Sequence, residues 1–164
     1  MTMPRSERDA LLERYRGGAD AFRAAVGGLS DEELDARPIA GEWTVREICH
    51  HLADSEMTSA IRLRRLVAEE DPVIVGYDEM EFSRRLYYDT RPIGPSVDAA
   101  AAARAATLQV LERMSDAEWA RQGTHSEHGP YGVEAWLRDY ADHPWDHADQ
   151  ARRVLEAARG GGVV

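Results

Sequence analysis

The sequence predicts an all-α protein, a four-helix bundle with one long crossover connection, and three observations predict it. Four long stretches space their apolar residues at three, four and seven, as one face of a helix requires. Capping boxes and Gly or Pro pairs punctuate those stretches. A single long connection, residues 72–95, separates the second stretch from the third. With connections on alternate ends the helices are expected to run antiparallel, and the crossover leaves the rest of the topology open.

The first stretch runs from about Ser6 to Val26. Leu11, Leu12, Tyr15, Phe22 and Val26 line it, and Gly27-Gly28 ends it. Ser30-Asp-Glu-Glu33 resembles a capping box for a short turn before Pro38. The second stretch opens on another box, Thr44 with Glu47, with Trp43 placed as its staple. It runs to about Glu70 and stops at Asp71-Pro72. At roughly 100° per residue, Val45, Ile48, Cys49, Leu52, Leu63, Leu66 and Val67 gather on one core stripe.

The connection holds an apolar run, Val73-Ile-Val75, and a short helix from Tyr77 to Tyr88. Connections of this length are often functional covers, and Tyr77 and Asp78 are placed for that role. The third stretch, about Ser96 to Met114, is alanine-rich and suited to close packing, and Ser115-Asp-Ala-Glu118 restarts a turn. Residues 121–132 carry Gly123, Gly129, Pro130 and Gly132 and read as a loop or small hairpin. The fourth stretch runs from about Val133 to Arg159, and residues 160–164 are expected to be a flexible tail. No internal repeat and no linker divides the chain, so residues 1–164 are expected to form one domain.

Composition excludes several function classes. The formal charge of −10 opposes nucleic acid and anionic membrane as partners. No apolar run approaches the roughly 20 residues of a spanning helix. Met1 to Arg8 is polar, so no secretory signal is expected. One cysteine, Cys49, permits no intrachain disulfide and fits a cytoplasmic protein. All 20 basic residues are arginine, which excludes lysine Schiff-base chemistry. Gly-x-Ser-x-Gly, Walker and dinucleotide glycine motifs are absent.

Six histidines remain: His50, His51, His125, His128, His143 and His147. His143 and His147 stand at i and i+4, one helical turn apart on one face. Trp136, Tyr140, Ala151, Val154 and Ala158 share that face, so both imidazoles point toward the core, where they need hydrogen-bond or metal partners. A third ligand must come from another element. On the second stretch His51 lies about 110° from the stripe's centre and His50 about 150°. His51 is therefore the favoured ligand, and His50 is expected to be a solvated surface residue. His125 and His128, in the glycine-rich loop, are left outside the metal set. Pro144 falls between the proposed ligands, and a kink or π-bulge is expected there. Cys49, near the core stripe, is expected to act as a small hydrophobe rather than a nucleophile.

The run Gly41-Glu-Trp-Thr-Val-Arg-Glu-Ile-Cys-His-His-Leu-Ala-Asp-Ser-Glu56 resembles the signature of the DinB/YfiT-like proteins. Pro72-Val-Ile-Val-Gly-Tyr-Asp-Glu79 resembles the YfiT branch, and Tyr140-Ala-Asp-His-Pro-Trp-Asp-His147 is similar to the family's C-terminal metal motif. The resemblance implies a four-helix bundle, a homodimer, and a divalent metal held by His51, His143 and His147. Pro144 and Trp145 depart from the YfiT pattern, which carries more histidines there and no proline.

Three nitrogen ligands leave a coordination position open, the pattern of a catalytic site. One chemistry is hydrolysis of an ester or amide by metal-activated water. The other is activation of a low-molecular-weight thiol, such as bacillithiol or mycothiol, as a thiolate aimed at an electrophile. The resemblance favours the thiol S-transferase, with the hydrolase as the alternative and a non-enzymatic, stress-related metal-binding module as a third. Imidazole suits several metals; zinc or nickel is expected first, then iron or manganese. Asp54, three residues beyond His51, is a candidate to orient an imidazole or move a proton. Arg62 is a candidate to hold a carboxylate of the thiol cofactor.

Overall fold

The structure, a computed structural model, describes residues 3–160. Its elements are α1 (Arg5–Val26), α2 (Asp31–Asp35), α3 (Val45–Ala68), β1 (Val73–Ile74), α4 (Glu79–Arg85), α5 (Gly94–Leu111), α6 (Asp116–Trp119), β2 (Gln122–His125), β3 (Gly129–Gly132) and α7 (Val133–Gly160). The helix starts follow the capping chemistry of the sequence. Ser30 with Glu33, Thr44 with Glu47 and Ser115 with Glu118 each close a reciprocal capping box. Asp78 caps α4 by accepting from the Glu81 amide. The tail expected over 160–164 lies outside the described residues except for Gly160, which ends α7.

The four long helices α1, α3, α5 and α7 form the bundle, in the cyclic order α1, α7, α3, α5. Side-chain pairings set their directions. Along α1 and α7 the partners rise together, Glu7 with Arg138 and then Arg14 with Asp142, so these helices are parallel. On α3 and α5, His50 meets Ser96, Glu56 meets Arg104 and Arg64 meets Thr107, which is again parallel. Between α3 and α7 the order reverses, with His51 near His147 and Arg62 near Tyr140. It reverses likewise between α1 and α5, where Arg16 meets Glu112 and Arg23 meets Asp98. The expected simple antiparallel order is thus corrected to two parallel pairs set against each other. The crossover is the reason. Residues 69–93 are enough chain to retrace the length of α3, about 36 Å, and start α5 at the same end.

A small sheet supplements the helices. Residues 121–132 form the hairpin β2–β3, and the apolar run at Val73-Ile74 joins β2 in parallel. Among the described residues no helix is long and apolar enough to cross a membrane.

The buried apolar side chains fall into two groups. One holds Phe22, Ile48, Leu52, Ala148, Ala151 and Val154. The other holds Tyr15, Leu63, Leu66, Leu111, Trp136 and Leu137. Between them along the helices lies a buried polar layer with Glu56 and Ser59 on α3 and Arg104 and Thr107 on α5. Arg104, 3% exposed, ties this layer together. Its Nε donates to the Tyr15 carbonyl on α1 at 2.9 Å, and Nη1 to Glu56 on α3 at 2.6 Å. Nη2 donates to the Tyr140 and Ala141 carbonyls on α7 at 2.8 and 3.3 Å.

The Tyr140 carbonyl needs that donor. Pro144 stands four residues on and has no N–H to close the helical bond. α7 nonetheless continues as α-helix through Pro144, without the expected π-bulge. Gly18 of α1 makes the approach close enough, since a Cβ there would lie 3.1 Å from the Pro144 ring and 3.2 Å from Arg104 Nη2.

Replacing Arg104 by Met removes the donor from the buried Glu56 carboxylate and from the Tyr140 carbonyl, which Pro144 leaves without a helical N–H. Urea unfolding is expected to show a loss of about 3–5 kcal/mol, the range for breaking a buried ion pair from one side. Arg23→Met, which removes the exposed pair with Asp98, is expected to cost no more than about 1 kcal/mol. Equal losses in the two variants would contradict the special role of Arg104.

Candidate metal centre

α3 and α7 run antiparallel, and that opposition brings residues 51 and 143–147 to one level. His51 lies in the second turn of α3 and is 2% exposed. His143 and His147 face it from successive turns of α7, both part-buried. The His143 and His147 rings lie edge-on, with centroids 4.5 Å apart. His51 is 5.6 Å from the first and 4.7 Å from the second. One ring nitrogen from each of the three falls within 4.8 Å of the others. The Nε2 atoms of His143 and His147 are 3.1 Å apart. Ligands at the 2.0–2.1 Å of a Zn–N bond stand about 3.3 Å apart, so small ring movements suffice for joint coordination.

Burial pushes His51 down to about 3, with the neighbouring His147 and His143 adding to the shift. Burial, followed by His143, likewise pushes His147 down to about 4. Both imidazoles are therefore neutral near pH 7, the form that offers a lone pair to a cation. Gln150 fixes one side of His147, with Oε1 2.8 Å from Nδ1. The Trp43 ring covers His51 at 4.6 Å.

A carboxylate that the sequence reading missed lies beneath these rings. Glu56 is 1% exposed, and its Oε1 is 3.7 Å from His143 Nδ1. It falls on the apolar stripe of α3, four residues after Leu52 and seven before Leu63, and a charge on that stripe was the available signal. Asp54, expected to orient an imidazole or move a proton, accepts a hydrogen bond from the Tyr88 hydroxyl. Arg62 donates to the Tyr140 hydroxyl at 3.0 Å and to the Val75 carbonyl at 2.8 Å, so it is anchored rather than free on the surface. The Tyr140 ring in turn stands 5.7 Å from that of His143. Tyr77 packs within 5.7 Å of the Arg62 guanidinium, and its hydroxyl is buried without a partner.

The expectation for His50 is corrected. It is fully buried, with Nδ1 2.7 Å from Ser96 Oγ and Nε2 3.0 Å from the Arg91 carbonyl. The helical wheel misplaced it because the first half of α3 is covered on nearly every side: Val45 to Ala53 are all buried. Cys49 is buried too, and burial pushes its thiol up to about 12, far from a nucleophile's range. His125 and His128 stack 4.7 Å apart at the β2–β3 turn, with Glu127 between them in sequence. These three also offer ligand atoms within 4.8 Å of one another, although Glu127 and His128 are exposed.

The chain is similar to proteins of known sequence and structure. A relative from Oceanobacillus iheyensis, named "Putative metal-dependent hydrolase OB0782", is 37% identical over 126 residues, 77% of this chain and 73% of that protein. One from Geobacillus thermodenitrificans, named "Putative metal-dependent hydrolase", is 35% identical over 102 residues, 62% of this chain and 57% of that protein. Among solved structures, YfiT from Bacillus subtilis is described as "a probable metal-dependent hydrolase with an unusual four-helix bundle topology". It superposes with a TM-score of 0.88 at 26% identity, covering 97% of this chain and 91% of that one. The family model described as the DinB superfamily matches residues 14–151, and the chain belongs to that superfamily.

Proposed function

We propose that the chain is a metal-dependent hydrolase in which His51, His143 and His147 hold a divalent cation, zinc or nickel ahead of iron or manganese. The convergence of three imidazoles from two helices distant in sequence carries the reading. A divalent cation at such a site supplies Lewis acidity, which activates water toward an ester or amide carbonyl. The protein's own part is positioning. His51 is held between α3 and the Trp43 ring, which limits solvent at one side. Gln150 fixes the His147 ring, and Tyr140 and Arg62 supply a hydroxyl and a cation alongside His143. The names carried by the relatives support hydrolysis.

One observation favours a second reading, transfer of a low-molecular-weight thiol such as bacillithiol or mycothiol. Arg62 is a guanidinium whose buried Nε has no hydrogen-bond partner, and its chemistry suits the carboxylate of such a thiol. The two readings separate in one assay on zinc- or nickel-loaded protein purified without a histidine tag. Hydrolysis predicts product from ester and amide panels in water alone. Product from an electrophile only when a thiol is added would replace hydrolysis with S-transfer. Neither activity across both panels would favour a non-enzymatic metal-binding module.

His51→Ala, His143→Ala and His147→Ala are each expected to cut metal content at least tenfold by elemental analysis, while His50→Ala retains it. Unchanged metal in the His147 variant would refute the ligand set. The depressed values of His51 and His147 also predict a pH dependence in chelator-stripped protein. Unfolded histidine takes up a proton near pH 6.5, whereas the folded groups do so only near 3 and 4. The unfolded chain therefore binds more protons in that window, and stability falls as pH drops from about 6.5 toward 4. The melting temperature is expected to follow that slope, and His51→Gln to flatten it.

A further inference from the structure

Two buried polar atoms face each other beneath the three histidines without a bond between them. His143 Nδ1 stands 3.7 Å from Glu56 Oε1, beyond hydrogen-bond range. Neither that Nδ1 nor Glu56 Oε2 has a hydrogen-bond partner. The tautomers account for the gap. In the tautomer whose Nδ1–H donates to Gln150 Oε1, 2.8 Å away, His147 Nε2 is bare. The proton in the 3.1 Å contact between the two Nε2 atoms then belongs to His143. In that Nε2–H tautomer His143 Nδ1 is bare, and two acceptors stand opposed.

We propose that Glu56 is the positioning carboxylate of His143. It accepts from Nδ1–H in the tautomer whose Nε2 lone pair faces His51 and His147, and thereby selects the form able to ligate a cation. The inference rests on the metal-binding reading above. The change is balanced: one proton leaves Nε2, one arrives at Nδ1, and the charge of the imidazole is unaltered. A movement of less than about 1 Å turns the present spacing into a hydrogen bond.

Glu56 is well placed to wait for that proton. Arg104 Nη1 holds its Oε1 at 2.6 Å and supplies the counter-charge. The same guanidinium donates to the carbonyls of Tyr140 and Ala141, on the turn of α7 that carries His143. Acceptor and imidazole are thus referred to one rigid group. Partners of this kind fix ring orientation and raise ligand basicity, and their loss typically weakens metal binding 10–100-fold.

The test is the zinc Kd of the full chain, read by competition with a chromophoric chelator. Glu56→Gln is expected to weaken zinc 10–100-fold with the fold retained by circular dichroism. The amide removes the carboxylate charge, and its single oxygen, already held by Arg104, is a weaker acceptor for His143 Nδ1–H. Nitrogen-15 NMR supplies a readout that a structural role would not move. In the zinc-loaded parent, His143 is expected to carry a slowly exchanging Nδ1–H, and in Glu56→Gln that protection is lost. Should Glu56→Gln not fold, Glu56→Asp decides by the same criteria, because it keeps the charge opposite Arg104 and withdraws from His143. A folded variant with a zinc Kd within twofold of the parent, or with Nδ1–H protection intact, overturns the proposal. His143→Ala separates the layers: loss of zinc there with none in the Glu56 variant refutes only this inference, whereas retention in both refutes the metal reading itself.

Discussion

Arg104 reaches from α5 into the middle of the bundle and finds acceptors on each of the other three long helices. A guanidinium buried this deeply is tolerable only if its donors are satisfied and its charge is opposed. Tyr15, Glu56 and Tyr140 must therefore stand at fixed depths along α1, α3 and α7. The aromatic face of Tyr15, 3.7 Å from the guanidinium carbon, closes the remaining side. Apolar packing alone would allow the helices to slide by a turn with modest loss. A directional cation with partners on every helix does not, so it sets the register in which residues 51, 143 and 147 meet.

The placement of that layer has a further consequence. The two apolar groups, one around Phe22 and Ile48 and the other around Tyr15 and Trp136, supply the hydrophobic stabilisation. The polar level between them holds Glu56 on α3 and His143 and His147 on α7, with His51 among the first group. Side chains there are braced from above and below by close-packed atoms and have few alternative rotamers. A site made this way is preorganised by the fold rather than by the loops. The crossover and the hairpin contribute at its flank, through Tyr77 near Arg62 and through the sheet that fastens β1 to β2.

Much of this was legible in the residue order, and the parts that were not share a cause. Caps and helix stops are local, so Thr44 with Glu47 and Gly27-Gly28 marked their boundaries. The i, i+4 histidines are local as well, and their common face followed from helix geometry alone. Direction is not local: a 3.6-residue period reads the same for a helix running either way, so the two parallel pairs were hidden. His50 escaped because a wheel assumes one buried face, while α3 is covered by α2, α4, α5 and α7 together. Arg104 sits in an alanine-rich stretch whose pattern gave it no role, and Glu56 lies 48 positions away from it. Only the fold joins them.

Pro144 shows how an unfavourable local choice becomes part of the site. A proline inside a helix removes one backbone bond and crowds the preceding turn, at a cost of about 3 kcal/mol where nothing compensates. Here the freed Tyr140 carbonyl is an extra acceptor, and Arg104 uses it. Gly18 gives the ring its room, and the Trp145 N–H donates across to the Arg14 carbonyl of α1. The stretch around His143 and His147 is thereby tied to two neighbouring helices, through the Tyr140 carbonyl that Pro144 frees and through the Trp145 indole. The defect thus converts an internal hydrogen bond into an interhelical one, at the turn where ring positions matter most.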